Sequence, residues 1–568
     1  MDTGLKFLSA NPVTKAVTTL LLLSILAGIA GTVLPALNYM PTLGFDRFSL
    51  APWQTLWGTP KLGNMVLLSV FSGVLATLFS LFLALGIVST AWNRPLWQKT
   101  QRWLSPMMAA PHVALAFGLS FVLMPSGLVA RFLAVPLGWS SPPGWHSIQD
   151  PYGLGLILLL VLKETPFLIF MLMAAVSQLP VRDTLRVGQS LGYQRWLIWM
   201  KLLWPRLYSM VRLPVYTLLA FSLSVVDIPL ILGPTNPPLF SVQVFQWLQD
   251  ADLTLRTQAA AGSLLLLGLV IAIISLFIIA EWALKKAARH WLTNGYRGQF
   301  GTLAETLSLY IWRSLLALFC TSTLVLLVWS FAWRWRFPSL WPSWSLRSWE
   351  KVGPYLTEPL YNSFIIGVLS SFAAVCLAII LLEYEKTQRG KRLSKRIRLI
   401  MYLPLLLPQM TFVFGIQVLL LWTNIEGHWM AVVTVHLIFV LPYCYLSLVS
   451  IWQHYDERQS LQAQILSGSR FKAWYKVKLK ILWRPVCSAL ALGFAVSIAQ
   501  YLPTLFAGAG RISTITTEAV SLASGGNRRL MGVYGLLQML LPLLGYALAI
   551  AWSGWAFRQF RLVRRLNQ

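Results

Sequence analysis

A short set of polar side chains falls inside otherwise apolar stretches of this chain: His112, Lys163, Glu164, Ser224, Asp227, Gln409, His436, Ser497 and Gln500, with Glu383 nearer the end of its stretch. Their types and spacing argue against covalent chemistry. No H-E-x-x-H pair, G-x-S-x-G elbow or clustered ligand set occurs, so a membrane-embedded enzyme is the weakest reading and no metal site is expected. Such groups are costly to bury in lipid and usually face a bundle interior or a watery path, so binding or lining is the chemistry to expect of them. Lys163 and Glu164 are adjacent and point about 100° apart on a helix, so each needs its own partner. Asp227 begins a D-x-P break in the following stretch and is the expected partner of Lys163, either on a cavity wall or as a buried pair that only locks helices. His112 is expected to pack with its ring hydrogen-bonded to a carbonyl, and Ser224 and Ser497 to join helices.

The elements that position these residues must be membrane spans. The 568 residues are 57% hydrophobic and 11% charged, with mean hydropathy +0.65, which is more apolar surface than one soluble core can bury. A spanning helix needs roughly 20 mostly apolar residues, because lipid offers backbone amides no partner. Twelve stretches qualify, at roughly 15–37, 64–90, 106–135, 153–178, 210–234, 259–283, 312–332, 362–384, 399–422, 429–452, 485–506 and 533–557. The fold class is therefore all-α and polytopic, with about twelve transmembrane helices. The first run, behind Lys6 and Lys15, lacks a small-residue cleavage site and reads as a retained span. Most of the 46 Lys and Arg fall on one side if both termini are cytoplasmic, as the positive-inside rule requires. The net charge of +28 is spread over seven such segments, which fits anionic lipid headgroups and gives no reason to expect nucleic acid. Cys320, Cys376, Cys444 and Cys487 lack C-x-x-C spacing and read as packing residues.

The chain is a tandem duplication. A pattern P-[H/Q]-x4-F-G recurs as Pro111, His112, Phe117, Gly118 and as Pro408, Gln409, Phe414, Gly415. Pro166 precedes Gly192 by the same interval as Pro442 precedes Gly468, and each glycine opens a basic loop that ends at Pro205 or Pro485. "FSLSVVDIPLILG" from Phe221 parallels "FAVSIAQYLPTLFAG" from Phe494, setting Ser224 against Ser497 and Asp227 against Gln500. An even number of spans per half gives both copies the same polarity, with an axis along the membrane normal and a pathway between them. A polar stretch at about 284–311, with Lys285, Lys286, Arg289, Gly295, Arg297 and Gly298, reads as a cytoplasmic linker.

The loop "RVGQSLGYQRWLIWMKLLWPRL" from Arg186 resembles the EAA loop of binding-protein-dependent ABC importer permeases, with Gly192, Trp196, Trp199, Leu202 and Pro205 at the glycine, aromatic, apolar and proline positions. The second copy keeps Gly468, Tyr475, Val477 and Pro485. Neither carries the signature glutamate of the family, since Arg186 and Gln462 stand there. The resemblance covers nearly the whole chain and is greatest to fused two-half permeases of the thiamine and iron(III) importer type. "LGP-N-PP" (Gly233, Pro234, Asn236, Pro237, Pro238) and the unusual segment from Gly508 to Gly526 add to it. The resemblance implies two type I permease domains, at 61–283 and 358–557. Flanking them are a first helix and outer loop at 1–60, a linker with the seventh helix and outer loop at 284–357, and a basic tail at 558–568. It also implies a bacterial inner-membrane location, a cytoplasmic ABC ATPase, in two copies, on the paired loops, a periplasmic solute-binding protein, and inward transport by alternating access.

No G-x-x-x-x-G-K-[ST] loop occurs, so no cofactor is expected in this chain, and ATP and Mg would sit on the partner. An ordinary basic loop whose Lys and Arg snorkel toward headgroups is the plainer reading of one elbow, and a pair at equivalent places favours docking. An ion-coupled secondary transporter also accommodates twelve spans in two parallel repeats and is the alternative. Residues 508–526 are expected either to receive cargo or to plug the pathway as a re-entrant loop. The polar candidates include both signs of charge, so the residues alone do not name a substrate.

Overall fold

Long apolar runs can satisfy their own backbone only as helices, and helices are what form. A computed structural model describes residues 11–297, 301–387 and 391–566; Lys6 and Gly298 lie outside the described residues. The first half comprises α1 (Asn11–Ala36), α2 (Leu62–Ala91), the amphipathic α3 (Pro95–Ala109), α4 (His112–Leu123), α5 (Leu154–Val176), α6 (Val181–Ser190), α7 (Trp204–Ser224) and α8 (Leu255–Thr293). The second repeats that order as α9 (Gly301–Phe331), α10 (Arg347–Thr387), α11 (Lys391–Leu406), α12 (Gln409–Trp422), α13 (Trp429–Gln453), α14 (Glu457–Ser467) and α15 (Trp483–Ile498). Then come α16 (Ile515–Ser524) and the closing α17 (Arg528–Leu566). Among the described residues, 10 helices are long and apolar enough to cross a membrane, and two bent pairs raise this to 12 if each pair is one span. The sole sheet among those residues pairs Ala332–Arg334 with Ser343–Trp344.

Four of the expected spans are broken, and proline accounts for the first break in each half. The 106–135 stretch is not one helix, because Pro111 has no N–H to continue α3 and the chain restarts at His112. Pro408 does the same in the second half, where Ile397–Leu406 and Gln409–Trp422 meet at 93°. The 210–234 and 485–506 stretches stop at Ser224 and Ile498, unwind, and resume as single turns at Pro229–Leu232 and Leu502–Ala507. The linker differs from expectation: α8 runs on to Thr293 and α9 starts at Gly301, since Lys, Arg and Ala favour helix even outside lipid.

Each half lends its first helix to the other. One buried core joins α2, α4, α5 and α7 with Trp312, Phe319 and Leu326 of α9. The other joins α10, α12 and α13 with Leu21 and Ile25 of α1. The duplicated glycines allow the exchange. A Cβ on Gly415 would lie 1.7 Å from the Gly28 carbonyl oxygen of α1, and one on Gly118 would lie 2.4 Å from the Ser322 oxygen of α9. Small residues let backbones approach closely, the main source of helix association where lipid is as apolar as leucine. Thr32 Oγ1 donates to the Thr411 carbonyl (2.6 Å) at the same crossing. The exchanged and terminal helices form the rim: 17% of the apolar window of α8 is buried, against 72% for α13, so α13 lies at the centre.

Candidate functional site

The four chain breaks converge on one cavity of about 150 Å³ between the halves. His112 and Gln409 enter it as the first residues of α4 and α12. Ser224 closes α7, and Val225 to Asp227 form the unwound wall, with Ala499 to Leu502 opposite. The sequence pairs His112 with Gln409 and Asp227 with Gln500, and all four line the cavity, as does Ser224. The aromatic walls, Phe221, Phe439, Tyr443 and Tyr501, were not anticipated; Tyr501 directly follows Gln500, and the others read only as helix packing. The His112 ring lies against Phe221, with centroids 5.2 Å apart, instead of on a carbonyl as expected. Ser224 Oγ donates to its own helix at the Ala220 carbonyl (2.7 Å).

Lys163 and Glu164 are buried but do not line the cavity, and the expected Lys163–Asp227 pair does not form. Lys163 Nζ donates to the carbonyls of Met107 (2.9 Å) and Ala110 (2.5 Å) at the end of α3. The reason is local. The Met107 carbonyl would have accepted from the N–H that Pro111 lacks, and an ammonium at a helix C-terminus satisfies such orphaned oxygens. Glu164 accepts a hydrogen bond from Ser222 Oγ, tying α5 to α7. Asp227 is thereby left without an ion pair among the described residues.

Ser497 sits behind the cavity wall in a neutral network. Its hydroxyl bonds Ser370 Oγ (3.0 Å) and His436 Nδ1 (2.8 Å), while His436 Nε2 bonds Thr504 Oγ1 (2.9 Å). Gln500 Nε2 donates to the His436 carbonyl (3.4 Å), and Gln500 Oε1, fully buried, has no partner. The 508–526 segment folds as the capped helix α16, with Thr514 and Thr517 bonding reciprocally at its start. Thr516 Oγ1 donates to the Ile498 carbonyl, so α16 covers the second break.

At the basic end, the two loops repeat an unusual backbone. Each places a positive-φ glycine, Gly192 (+82°) or Gly468 (+59°), after a short helix, and each then runs into a π-helical turn, Trp199–Leu203 or Trp474–Lys478. In the first loop Trp199 is fully buried, Trp196 packs edge-on against Trp204 at 5.2 Å, Leu202 is exposed and Pro205 opens α7. In the second loop the structural counterpart of Trp199 is Trp474, one residue before the expected Tyr475. Tyr475 faces outward, Val477 is half-buried, and Pro485 opens α15 beyond a 70° bend instead of standing next to the π turn as Pro205 does. Buried anchors fix both loops. Lys201 bonds Asn294 Oδ1 (3.0 Å) and faces the Trp291 ring at 5.0 Å. Lys478 bonds Glu383 and Glu457, and Glu383 also accepts from the indoles of Trp452 and Trp474. Apolar side chains stay uncovered beside these anchors: Val187 and Leu191 on the first loop, and Leu461, Ile465, Leu466 and Phe471 on the second.

No family model matches the chain. The Escherichia coli (strain K12) inner membrane ABC transporter permease protein YnjC is 34% identical over 537 residues, which are 94% of this chain and 96% of that protein. The chain is an ABC transporter permease. Spermidine/putrescine transport system permease protein PotC homologues of Mycoplasma genitalium and Mycoplasma pneumoniae match it over 34% and 29% of its length, at 27% and 24% identity. Those matches cover 67% and 59% of the two relatives but fall on only part of this chain, consistent with a permease of two fused halves. The broken helices, central cavity and twinned loops are thus features of a multi-pass inner-membrane permease.

Proposed function

We propose that this permease is the translocation subunit of an ATP-driven importer with both termini in the cytoplasm. ATPase subunits, one per half, seat on the paired basic-end loops, and a periplasmic solute-binding protein delivers a small solute at the opposite face. Closure of the ATPases pulls on the loops and tilts the halves, so that the central cavity opens outward and then inward. The observation that carries this reading is the pairing itself: in both halves a positive-φ glycine leads into a π turn held by a buried lysine, Lys201 or Lys478, beside apolar side chains that nothing among the described residues covers. A loop that merely snorkels toward headgroups needs no such rigid, repeated backbone. Gly192→Leu and Gly468→Leu test it. Leucine at positive φ costs about 1–2 kcal/mol, and a Cβ on Gly192 would also lie 3.2 Å from the Arg297 guanidinium. Both variants should insert and melt nearly as wild type while solute-stimulated ATP hydrolysis collapses to the basal rate. Full stimulation in both would sink the docking assignment.

A further inference from the structure

The central cavity is one-signed. Among the described residues, Asp227 is the sole carboxylate on its wall, and no Lys or Arg lines it. The Lys163 ammonium does not line the space and is engaged by the α3 carbonyls. An unpaired carboxylate at span depth is expensive, and one facing a cavity marks a position where a charge of opposite sign is received. Across the cavity, the Gln500 Oε1 acceptor is buried and has no donor. An isolated buried acceptor costs stability unless something donates to it. Gln409 adds a further amide, and the remaining walls are aromatic or aliphatic, with Phe221, Phe439, Tyr443 and Tyr501 presenting rings. Carboxylate, carbonyl acceptors and aromatic faces are the surroundings that hold an ammonium group, through charge-assisted hydrogen bonds and cation–π attraction. A bare metal ion fits poorly, because no group of three or more His, Cys, Asp or Glu suited to a metal lies among the described residues.

A crevice at the end opposite the basic loops carries the same sign. Glu358 and Glu518 line it with Tyr355, Tyr361 and Tyr534, again with no Lys or Arg among the described residues. Burial and the neighbouring Glu358 push the Glu518 carboxyl above the usual carboxylate range, as two uncompensated acids in a partly dry space require.

We propose that the cavity between the two halves takes a small organic ammonium ion, held by the Asp227 carboxylate on one wall and the Gln500 carbonyl oxygen on the other. This deepens the importer reading by naming the substrate class, and its test does not pass through the ATPase. The purified permease in lipid nanodiscs is titrated with diaminobutane, butanediol and succinate, three four-carbon chains that differ in charge. Diaminobutane is expected to bind and the other two are not. Asp227→Asn should weaken diaminobutane by about tenfold or more, and Gln500→Glu, which supplies a second carboxylate at the orphaned acceptor, should tighten it. An unchanged melting profile in both variants shows that the fold is intact. Preference for succinate, equal binding of the diol, an Asp227→Asn titration that matches wild type, or no binding by the diamine overturns the assignment. Loss of loop coupling with diamine binding intact would overturn the transport reading alone.

Discussion

The exposed apolar face of α14 offers the most direct test of docking. Ile465 and Leu466 are 82% and 88% exposed in a stretch rich in Arg, Gln and Ser, so the chain itself pays no visible structural need with them. Neither supports the fold, so Ile465→Asp with Leu466→Asp should shift unfolding by no more than about 0.5 kcal/mol per site. If an ATPase covers them, the effect on association is large. Fully burying one such side chain contributes about 1.5–3 kcal/mol, so two at the lower end contribute about 3 kcal/mol. At about 1.4 kcal/mol per decade, that is a loss of roughly 100-fold in affinity, and the two new carboxylates add a desolvation cost. The assay is titration of the partner ATPase, purified from the native host, against wild-type and doubly substituted permease in nanodiscs, with the melting temperature of each recorded alongside. A change in affinity below about threefold, with the fold intact, would refute the reasoning, because exposed leucine and isoleucine would then be facing nothing.

Gly415→Ala places a methyl group where the Gly28 backbone already lies, so it should cost at least about 1–3 kcal/mol in thermal unfolding, whereas Gly268→Ala, with nothing within 4 Å, should cost nothing measurable. Lys163→Met leaves the Met107 and Ala110 carbonyls open and should destabilise by about 1–3 kcal/mol, read by the same melts. At Glu457, burial raises the carboxyl, but the hydrogen bonds from Lys386 and Lys478 outweigh it and leave it below the usual carboxylate range. A depressed carboxyl stabilises the fold above its unfolded value and loses that contribution as pH falls through its folded one. Amide protection across 457–478, corrected for the intrinsic pH dependence of exchange, should therefore fall only as pH drops below the ordinary carboxylate range, and protection that is flat there would count against the Lys386–Glu457–Lys478 cluster.

Duplication made much of this legible. Two copies of P-[H/Q]-x4-F-G and the parallel set by Ser224 and Ser497 identify equivalent positions without any alignment to other chains, and the four residues paired that way, His112, Gln409, Asp227 and Gln500, share one cavity. Position along the chain says nothing of which half a helix packs on, so the exchange of α1 and α9 could not be foreseen, although Gly28 and Gly31 facing Gly415 are its trace. The partner of Lys163 was missed for a different reason. Side chains advertise themselves by type, whereas the acceptors here are backbone oxygens, and the one available signal was the missing N–H of Pro111. Trp474 was passed over for Tyr475 because the second loop is one residue shorter than the first between its glycine and its π turn, so counting the same interval from Gly468 lands one residue too far along.

The two halves hold their breaks by different chemistry, and the difference explains the one-signed cavity. In the first half, Lys163 anchors α3 and Glu164 anchors α7 through Ser222. The equivalent positions in the second half are Phe439, Val440 and Ala495, which can anchor nothing polar, and Phe439 lines the cavity instead. There the break is held by His436, one turn earlier on α13, through Ser497 and Thr504. A charged clamp and a neutral clamp serve the same geometric end, and both make their bonds away from the cavity, although Glu164 Oε2 keeps no hydrogen-bond partner among the described residues. Asp227 is the exception, and its duplicate is the uncharged Gln500. A symmetric scaffold thereby presents an asymmetric site, with net charge on the first-half wall and a neutral acceptor on the second. A ligand with its positive group at one end would enter such a site in one orientation, charged end toward Asp227.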